Sequence, residues 1–543
     1  MSEWIEGDPD DADRVTLQGF LDDGNEEELE RRFATFLTFG TAGLRGPVMA
    51  GPSGMNRYTV RRATQGVIAW LNEIGVDRSP GVVVGRDARH GSEEFNDEVV
   101  AVLLGAGVKV LEMPGPLPTP FVAYCVKTLG AAAGIMITAS HNPPQDNGYK
   151  LYGPGGAQII PPNDRIVERY ARSATSPELG SRANTLHQFI GDDVFESYYE
   201  HFAQRFAVHG GTDLRVTYTP LHGVGGAPMM RLFADAGYRR VAVVEQQFAP
   251  DGGFPTLPFP NPEEPGALDL AMARADETGS TLVVANDPDA DRLGIAVNAR
   301  GGWRILRGDE IGWLLASALL DEMDPERDVV ATTIVSSTML EKMARRARVP
   351  FTSTLTGFKW IARGDGEHTL RFGYEEALGF AVDPLVADKD GMSAALALCR
   401  LAERLRHEGT SLLDRLDTIE HDFGVHAGGQ VSLRAEGPHG HDAIRDTMAR
   451  LRRSPPSILG GLEVTEVIDL ATGGHGLSPT DGIYLRLGAM GRVVVRPSGT
   501  EPKLKGYVEI TLAPDARELV EQRGEATKYL VAVRDDLQSL LSI

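Results

Sequence analysis

Residues 134–144 read GIMITASHNPP, an apolar run followed at once by a polar segment with two prolines. The apolar and β-branched residues 134–138 predict a buried strand. Pro143 and Pro144 cannot enter a helix interior and they restrict the residues before them, so they predict an exposed loop. Ser140 is therefore expected at the end of a buried strand.

The same strand–loop–helix pattern recurs along the chain, which predicts mixed α/β layers. A short β-branched strand precedes a Gly or Ser loop in residues 81–86, 214–226 and 329–338. The length of 543 residues and the apolar content of 42% exceed what one core organises, so several domains are expected. Because these units share no sequence identity, we interpret them as comparable domains and not as a solenoid.

Polar, Gly and Pro-rich stretches predict four domains with the ranges 1–209, 210–308, 309–423 and 424–543. The last one differs from the others, because strands at 482–487, 493–496 and 505–510 precede a closing helix from Pro514 onward. We expect a smaller α+β domain there.

The bulk composition favours a cytoplasmic protein that binds small molecules. A net charge of -22 repels nucleic acid and anionic membranes at long range. No apolar run reaches the length of a membrane span, and the acidic first thirty residues contain no secretory leader. Cys125 and Cys399 have no metal-binding spacing and are expected to be buried and reduced. We expect no nucleic-acid or membrane partner.

Ser140 has two interpretations: a hydroxyl that satisfies the loop backbone, or a reacting group. A hydrolase elbow G-x-S-x-G is disfavoured, because Thr138 and Asn142 occupy the glycine positions. A turn at 147–152 and a reversal at 153–156 return Lys150 toward the serine loop. Lys150 is either a solvated strand lysine or, if its pKa is lowered, a general acid or base.

Between apolar strands at 282–285 and 293–297 lies NDPDADR, in which three carboxylates alternate. Alternate side chains of an extended segment share one side, so Asp287, Asp289 and Asp291 would repel one another unless a cation joined them. Oxygen ligands favour Mg²⁺. A polar surface turn is the alternative. Arg292 either supplies positive charge to a phosphoryl group or forms a salt bridge with a neighbouring aspartate.

Two further loops suit a phosphorylated sugar. Glu375 and Glu376 lie in a glycine-bounded segment, where they either accept hydrogen bonds from sugar hydroxyls or begin a helix. Residues 496–505 read RPSGTEPKLK and combine hydroxyls, a glycine and three cations, which is typical of a phosphate-binding nest. A plain hairpin turn would look similar.

Four motifs occur in order along the chain: TASHNP at 138–143, DPDADR at 287–292, Glu375-Glu376 and RPSGT at 496–500. In order and spacing they resemble the α-D-phosphohexomutase superfamily, nearest its phosphoglucomutase and phosphopentomutase branch. Segments FGTAGLRG at 39–46 and LTGFKW at 355–360 also look like that branch, so the resemblance covers nearly the whole chain.

The resemblance implies four domains around a deep cleft, three related mixed α/β domains and a smaller C-terminal α+β domain. It implies that Ser140 carries the phosphoryl group and that Asp287, Asp289 and Asp291 hold Mg²⁺ together with a phosphate oxygen on Ser140. The other residues that match family positions are Arg45, His141 and Lys150 in the active site, Arg86, Gly357, Lys359 and Arg292 in the cleft, Glu375 and Glu376 at the sugar, and Arg496, Ser498, Gly499, Thr500 and Lys505 at the distal phosphate.

The chain departs from its relatives after the acidic pair, where they often have Ser or Ser-Gly-His and this sequence has Ala377 and then LGF. The sugar preference and one acid–base partner stay open for that reason.

The activity implied is conversion of glucose 1-phosphate to glucose 6-phosphate through phosphoserine 140, with glucose 1,6-bisphosphate as intermediate and activator. Phosphopentomutase and phosphomannomutase are alternatives, as are a sugar-phosphate phosphatase and a non-catalytic sensor. We expect sugar phosphates as partners and a monomer or homodimer.

Overall fold

The serine loop follows a strand that is buried along its whole length, Ala133–Ile137. This strand pairs in parallel with Val82–Arg86 and antiparallel with Asp146–Tyr152. The predicted strand before Ser140 is thus confirmed.

The computed structural model describes residues 1–40, 43–208, 212–435, 440–498 and 503–542.

Two compact units divide the chain, and each is described by itself. The first holds residues 1–307 and 377–404, and the second holds residues 308–376 and 405–543. The predicted boundary at residue 209 lies outside the described residues. The four exact domain ranges and the cleft stay predictions.

The first sheet has the strand order β1-β5-β4-β2-β3-β6. In chain order its elements are α1 (Ser2–Gly7), α2 (Asp11–Asp22), α3 (Glu26–Phe33), β1 (Leu44–Pro47), α4 (Arg57–Glu73), β2 (Val82–Arg86), α5 (Ser92–Gly105), β3 (Val110–Pro116), α6 (Thr119–Thr128), β4 (Ala133–Ile137), β5 (Asp146–Tyr152), α7 (Asn163–Ser173), β6 (His187–Phe189) and α8 (Asp192–Arg205). Strands β4, β2, β3 and β6 are parallel, and the burial of the central strands β4 and β2 on both faces requires covering helices. Val67 of α4, Val82 of β2 and Val99 of α5 share one core.

The second sheet has the order β11-β10-β9-β7-β8. Its elements are β7 (Val216–Thr219), α9 (Gly226–Asp235), β8 (Val241–Val243), α10 (Glu245–Phe248), α11 (Asp269–Thr278), β9 (Leu282–Ala285), β10 (Gly294–Ala299) and β11 (Gly302–Ile305). Strands β9 and β10 are antiparallel neighbours, so the carboxylate loop between them turns back tightly.

In the second unit, β13, β12 and β14 lie side by side and run parallel. The elements that follow β11 are α12 (Gly308–Leu319), a short 3-10 helix (Leu320–Glu322), β12 (Asp328–Thr333), α13 (Met339–Ala347), β13 (Phe351–Thr354), α14 (Phe358–Ile361), β14 (Thr369–Glu375), β15 (Gly379–Ala381) and α15 (Gly391–His407). Strand β15 and most of α15 fall within the first unit.

The C-terminal sheet is antiparallel throughout, in the order β16-β22-β21-β20-β19. Its segment comprises α16 (Leu412–Phe423), β16 (Val425–Arg434), α17 (Gly440–Arg453), β17 (Ile458–Leu459), β18 (Leu462–Glu463), β19 (Glu466–Asp469), a 3-10 helix (Leu470–Thr472), β20 (Ile483–Arg486), β21 (Gly491–Pro497), β22 (Lys503–Leu512) and α18 (Leu519–Leu540). Helix α18 shares a core with this sheet, as the predicted α+β domain requires.

The predicted start of the closing helix at Pro514 is wrong, because α18 begins at Leu519. The Arg517 N–H donates to Asp515 Oδ1 at 2.8 Å, and the Arg517 side chain also bonds to that carboxylate. Such a local side-chain turn competes with helical hydrogen bonding and delays the helix.

Both cysteines are buried and unpaired, as the sequence predicted. Among the described residues, no helix combines the length and the apolar character that crossing a membrane demands.

Candidate active site

Ser140 is held in a sparsely populated backbone conformation. Its φ is 52°, in the left-handed region, which costs a non-glycine residue about 1–3 kcal/mol unless the surroundings impose it. The Ser140 N–H donates to Thr138 Oγ1 at 2.8 Å. The Ser140 Oγ donates to Asp287 Oδ2 at 2.6 Å, with both side chains buried. The loop therefore aims the hydroxyl at the carboxylate loop of the second sheet.

His141 lies beside the same hydroxyl, with Nδ1 at 3.0 Å from Ser140 Oγ. Burial, followed by the positive charges of Arg292 and Arg45, lowers the pKa of His141 well below its usual value. The imidazole is therefore neutral near pH 7. The serine hydrogen that here bonds to Asp287 can instead be directed to His141 Nδ1 when the imidazole carries its own proton on Nε2.

The carboxylate loop brings its three aspartates together by turning and not by extending. One carboxylate oxygen from each of Asp287, Asp289 and Asp291 lies within 4.8 Å of the others. Ala290 has a φ of 56°, so the segment is not the extended chain that the sequence argument assumed. The three carboxylates nevertheless lie together, as the sequence argument concluded.

Residues 219–224, which include the end of β7 and the loop after it, pack against the carboxylate loop. The Val224 N–H donates to the Pro288 carbonyl at 2.8 Å. A β-carbon at Gly223 would lie 2.3 Å from Pro288 Cα, so only glycine permits this approach. The Asn286 N–H donates to the Thr219 carbonyl at 3.0 Å, which anchors the start of the loop to the end of β7.

Two lysines neutralise the aspartates. Lys150 is fully buried, and its Nζ lies 2.6 Å from Asp289 Oδ2 and 2.6 Å from Asp291 Oδ2. Lys389 Nζ lies 3.3 Å from Asp291 Oδ2. Burial alone would lower the pKa of Lys150, but the two carboxylates outweigh it and raise that pKa. The same ammonium groups outweigh burial at Asp291 and lower the pKa of its carboxyl.

The interpretation of Lys150 as a solvated strand lysine is therefore wrong. A general base at this position would need a lowered pKa, and the two carboxylates shift the pKa of Lys150 the other way. Lys150 is therefore held in its protonated form.

Asp287 differs from its two neighbours in the direction of its pKa shift. Burial and the negative charges of Asp289 and Asp291 raise the pKa of Asp287 well above its usual value. A bound cation would reverse this direction by stabilising the carboxylate.

Thr119, the first residue of α6, clamps the carboxylate loop from the first sheet. Its Oγ1 donates to Asp289 Oδ2 at 2.5 Å, and its N–H donates to the Asp289 carbonyl at 2.9 Å. Both side chains are fully buried. This contact fixes one carboxylate relative to the serine strand.

The donor set fits a hard divalent cation. Asp289 Oδ1 and Asp291 Oδ1 are buried and have no hydrogen-bond partner among the described residues. Buried anionic oxygens are costly without a counter-charge, and oxygen-only ligands favour Mg²⁺ over softer metals. Asp287, Asp289 and Asp291, with an oxygen on Ser140, would hold such an ion.

Three predicted arginines lie around this loop or near it. Arg45 Nη1 donates to Asn142 Oδ1 at 3.3 Å. The Arg292 N–H donates to Asp287 Oδ1 at 3.0 Å, while its guanidinium Nη1 lies 3.8 Å from Glu263 Oε2. Arg86 Nη1 donates weakly to the Asp87 carbonyl at 3.4 Å.

In the second unit, the acidic pair ends a strand and does not begin a helix. Glu375 is the last residue of β14, and Glu376 follows in the turn. Ser336 Oγ donates to Glu376 Oε2 at 2.7 Å, and the Glu376 N–H donates back to Ser336 Oγ at 3.2 Å. This exchange fixes the direction of the second carboxylate.

Tyr507 joins the acidic pair to the predicted phosphate hairpin. Burial and then the negative charge of Glu376 raise the pKa of Tyr507, while Arg496, which hydrogen-bonds to the phenol, lowers it. Arg496 is the penultimate residue of β21 and lies opposite Lys505 on β22. Glu376 of the predicted sugar pair and Arg496 of the predicted phosphate hairpin therefore both act on Tyr507.

The remaining predicted residues are only partly described. The Ser498 N–H donates to the Lys503 carbonyl at 2.7 Å and closes the hairpin. Gly499 and Thr500 lie outside the described residues. Gly357 has a φ of 111° and precedes α14, on which Lys359 is buried.

Four domain profiles match the chain in order. They are domains I, II and III of phosphoglucomutase/phosphomannomutase, each described as alpha/beta/alpha, at residues 37–178, 196–302 and 307–421, and its C-terminal domain at 462–525. The chain belongs to the phosphoglucomutase/phosphomannomutase family. The predicted superfamily and fold class, three α/β domains with a smaller C-terminal domain, are confirmed.

Curated relatives within the family carry three different substrate names. The chain is 38% identical to a probable phosphomannomutase of Haemophilus influenzae over 84% of this chain and 93% of that protein. It is 33% identical to a phosphopentomutase of Mus musculus (98% and 93%) and 33% identical to a phosphoglucomutase of Staphylococcus haemolyticus (92% and 95%). Family membership therefore leaves the sugar undetermined.

Solved structures share the fold at lower identity. A Thermus thermophilus structure described as a putative phosphomannomutase has a TM-score of 0.68 and 24% identity, covering 92% of this chain and 99% of that one. An Aspergillus fumigatus N-acetylphosphoglucosamine mutase in complex with GlcNAc-6P and magnesium has a TM-score of 0.51 and 16% identity, covering 93% and 96%.

Sequence reasoning missed several residues that touch predicted site residues in this member of the family, among them Arg89, Thr119, Ser336 and Lys389. Thr119 stands between two prolines at the start of α6, and this local pattern gives no sign of its aspartate partner. Lys389 lies about one hundred residues from the carboxylate loop, and no spacing rule connects the two.

Proposed function

We propose that this protein is a phosphosugar mutase that interconverts glucose 1-phosphate and glucose 6-phosphate through phosphoserine 140 and a glucose 1,6-bisphosphate intermediate. One observation carries the proposal. Ser140 Oγ lies 2.6 Å from Asp287 Oδ2. Asp289 Oδ1 and Asp291 Oδ1 of the same loop are buried and have no hydrogen-bond partner among the described residues. Because a phosphoryl group and the three carboxylates are all negatively charged, Ser140 can carry phosphate beside this loop only if a cation offsets the repulsion.

In the first half-reaction, a free hydroxyl of the sugar phosphate attacks the phosphoryl group on Ser140. The bond from phosphorus to Ser140 Oγ breaks as the new bond to the sugar oxygen forms, and the proton lost by the sugar hydroxyl ends on the departing Ser140 Oγ. The product is the bisphosphate. A bound Mg²⁺ supplies positive charge to the phosphoryl oxygens.

In the second half-reaction, the reoriented bisphosphate returns its other phosphoryl group to Ser140. The serine proton passes to neutral His141, whose Nδ1 lies 3.0 Å away. Protonated Lys150 supplies a proton to the departing sugar oxygen. Arg45 and Arg292 stabilise the negative charge that spreads over the phosphoryl oxygens.

The second unit is proposed to hold the sugar and the distal phosphate. Glu375 and Glu376 would accept hydrogen bonds from sugar hydroxyls, and Gly357 and Lys359 would line the same region. Arg496, Ser498, Gly499, Thr500 and Lys505 would grip the phosphate that is not transferred. The approach of Glu376 and Arg496 to one tyrosine supports this assignment.

Mannose and pentose phosphates are the competing substrates, because relatives of comparable identity carry those names. A cytoplasmic location is proposed as well, supported by two cysteines that remain unpaired. A sensor would need neither a buried triad nor an aimed hydroxyl, so we favour the enzyme.

A coupled assay on glucose 1-phosphate, mannose 1-phosphate and ribose 1-phosphate, with and without a hexose bisphosphate, tests the reaction and the sugar. Release of inorganic phosphate, compared with isomer formation, separates a mutase from a phosphatase. We expect Ser140→Ala to lose turnover by about 10⁴-fold or more. The control is Ser173→Ala, on the exposed end of α7. Wild-type turnover in Ser140→Ala would reject the mechanism.

A further inference from the structure

A buried arginine lies beneath the serine loop, and the proposed mechanism does not use it. Arg89 is 4% exposed and donates four hydrogen bonds to main-chain carbonyl oxygens. Its Nη1 donates to Pro143 at 2.8 Å and to Asp146 at 3.1 Å. Its Nη2 donates to Ser140 at 2.5 Å and to Asn142 at 2.5 Å. The guanidinium thus gathers the loop around one centre.

Only an arginine suits this arrangement. Four carbonyl oxygens from a seven-residue loop point toward one buried position, and of these the Pro143 carbonyl also accepts a bond from the Asp146 N–H at 3.1 Å. A guanidinium offers five N–H groups in a rigid planar fork, whereas an ammonium offers three from a single atom. A lysine would therefore lose at least one of the four bonds to the loop and would allow the loop to move.

Arg89 is itself held from two sides. Its N–H donates to Asp87 Oδ1 at 2.9 Å, and its Nε lies 3.5 Å from Asp87 Oδ2. Ser92 Oγ donates to the same Asp87 Oδ1 at 2.6 Å. On the other side, the Phe254 ring centroid lies 4.9 Å from Arg89 Cζ, which is a cation–π distance. The guanidinium is consequently fixed before it contacts the serine loop.

We propose that Arg89 is a positioning residue that fixes the direction of Ser140 Oγ toward Asp287 by binding the carbonyl oxygens of residues 140–146. This inference rests on the proposed role of Ser140 as phosphate carrier. The left-handed φ of Ser140 needs an external constraint, and the bond from Arg89 to the Ser140 carbonyl supplies it. Released from that bond, the serine relaxes and its hydroxyl turns away.

The first test compares Arg89→Lys with Arg61→Lys. Arg61 is a partly buried arginine of the same unit that pairs with Glu98 and touches no predicted site residue. Single-turnover transfer of phosphate from a hexose bisphosphate to Ser140 is followed by intact mass, and steady-state kcat and KM are measured beside it. We expect Arg89→Lys to lose about 100-fold in transfer rate and in kcat at an unchanged KM. Arg61→Lys should stay within about threefold.

A second measurement, hydrogen exchange of the peptide covering residues 138–148, does not depend on activity. We expect its amides to exchange at least about tenfold faster in Arg89→Lys, while peptides from the C-terminal sheet keep their wild-type protection. Added guanidinium ion should slow that exchange in Arg89→Ala and restore part of its transfer rate.

Several results would overturn the proposal. The first is unchanged exchange protection of the 138–148 peptide in Arg89→Lys. The second is an equal loss of rate in Arg61→Lys. The third is global unfolding of both Arg89 variants, which would show that Arg89 stabilises the whole fold and not this loop in particular. If the wild-type protein itself transfers no phosphate, the proposed function fails, and the exchange measurement still decides whether Arg89 holds the loop.

Discussion

Replacing Thr119 by valine should weaken cation binding at the carboxylate loop without disturbing the fold. Valine has nearly the same shape, and the fully buried site needs no new space. The change removes the 2.5 Å hydrogen bond from Thr119 Oγ1 to Asp289 Oδ2. The main-chain bond from Thr119 to the Asp289 carbonyl remains, so the two loops stay joined.

The magnitude follows from the type of bond that is lost. A hydrogen bond to a charged group contributes about 1.5–3 kcal/mol, and partners that orient a metal ligand typically change metal affinity about 10–100-fold. Asp289 keeps Lys150 as its other partner, at 2.6 Å from the same oxygen. We therefore expect the loss of metal affinity to lie near the lower end of that 10–100-fold range, with the dissociation constant rising about 10- to 30-fold.

Isothermal titration of the metal-free protein with Mg²⁺ or Mn²⁺ measures this change directly. The matched control is Thr64→Val, because Thr64 is also fully buried in the first unit and bonds to the Val60 carbonyl and the Tyr149 hydroxyl. A dissociation constant for Thr119→Val within twofold of wild type would refute the reasoning. So would an equal weakening in Thr64→Val.

Three other substitutions test the charges and contacts around the two units. Lys150→Met takes the ammonium from buried Asp289 and leaves Asp291 with Lys389, so the chelator-treated protein should lose about 3–5 kcal/mol in urea unfolding, and added Mg²⁺ should recover part of it. Burial and two neighbouring acids raise the pKa of Asp13 to about 6. The folded carboxyl therefore binds its proton more tightly than the unfolded one, and stability falls as the pH rises through about 6. Asp13→Asn should consequently raise the melting temperature above that pH and leave it unchanged below about pH 4. Ser336→Ala removes the 2.7 Å bond to Glu376 and should lower kcat/KM for sugar phosphates about tenfold, mainly through KM.

Each of these predictions has an outcome that contradicts it. Lys150→Met must be compared with Lys127→Met, whose lysine is exposed, and equal stability of the two variants would show that the triad needs no ammonium. A stabilisation by Asp13→Asn that is the same at every pH would exclude proton linkage at that carboxyl. An unchanged KM in Ser336→Ala would mean that Glu376 does not depend on this hydroxyl.

Local sequence was sufficient for the elements that flank each loop. Runs of apolar and β-branched residues predicted β4, β9 and β10, because a strand buried on both faces leaves that pattern whatever surrounds it. Two prolines predicted the irregular serine loop. The order of four short motifs was enough to indicate the family, which four domain profiles confirm.

Local patterns failed where two conformations compete within a few residues. The residues after Pro514 have helical composition, yet the Asp515 side chain accepts a hydrogen bond from the Arg517 N–H, and the helix begins only at Leu519. The carboxylate loop alternates like a strand, yet Ala290 turns it. In both cases, neighbours in space or a side-chain hydrogen bond outweigh a propensity of a few tenths of a kcal/mol.

The sequence by itself indicated which side chains we propose to carry the chemistry: one serine, three aspartates, an acidic pair and a basic hairpin. Only the tertiary structure decided their ionisation and their direction. Lys150 is a protonated partner of Asp289 and Asp291, and Arg89 and Thr119 hold loops that lie far from them in the chain. The reason is physical, because pKa values and hydrogen-bond geometry depend on distances across space, which sequence separation does not encode.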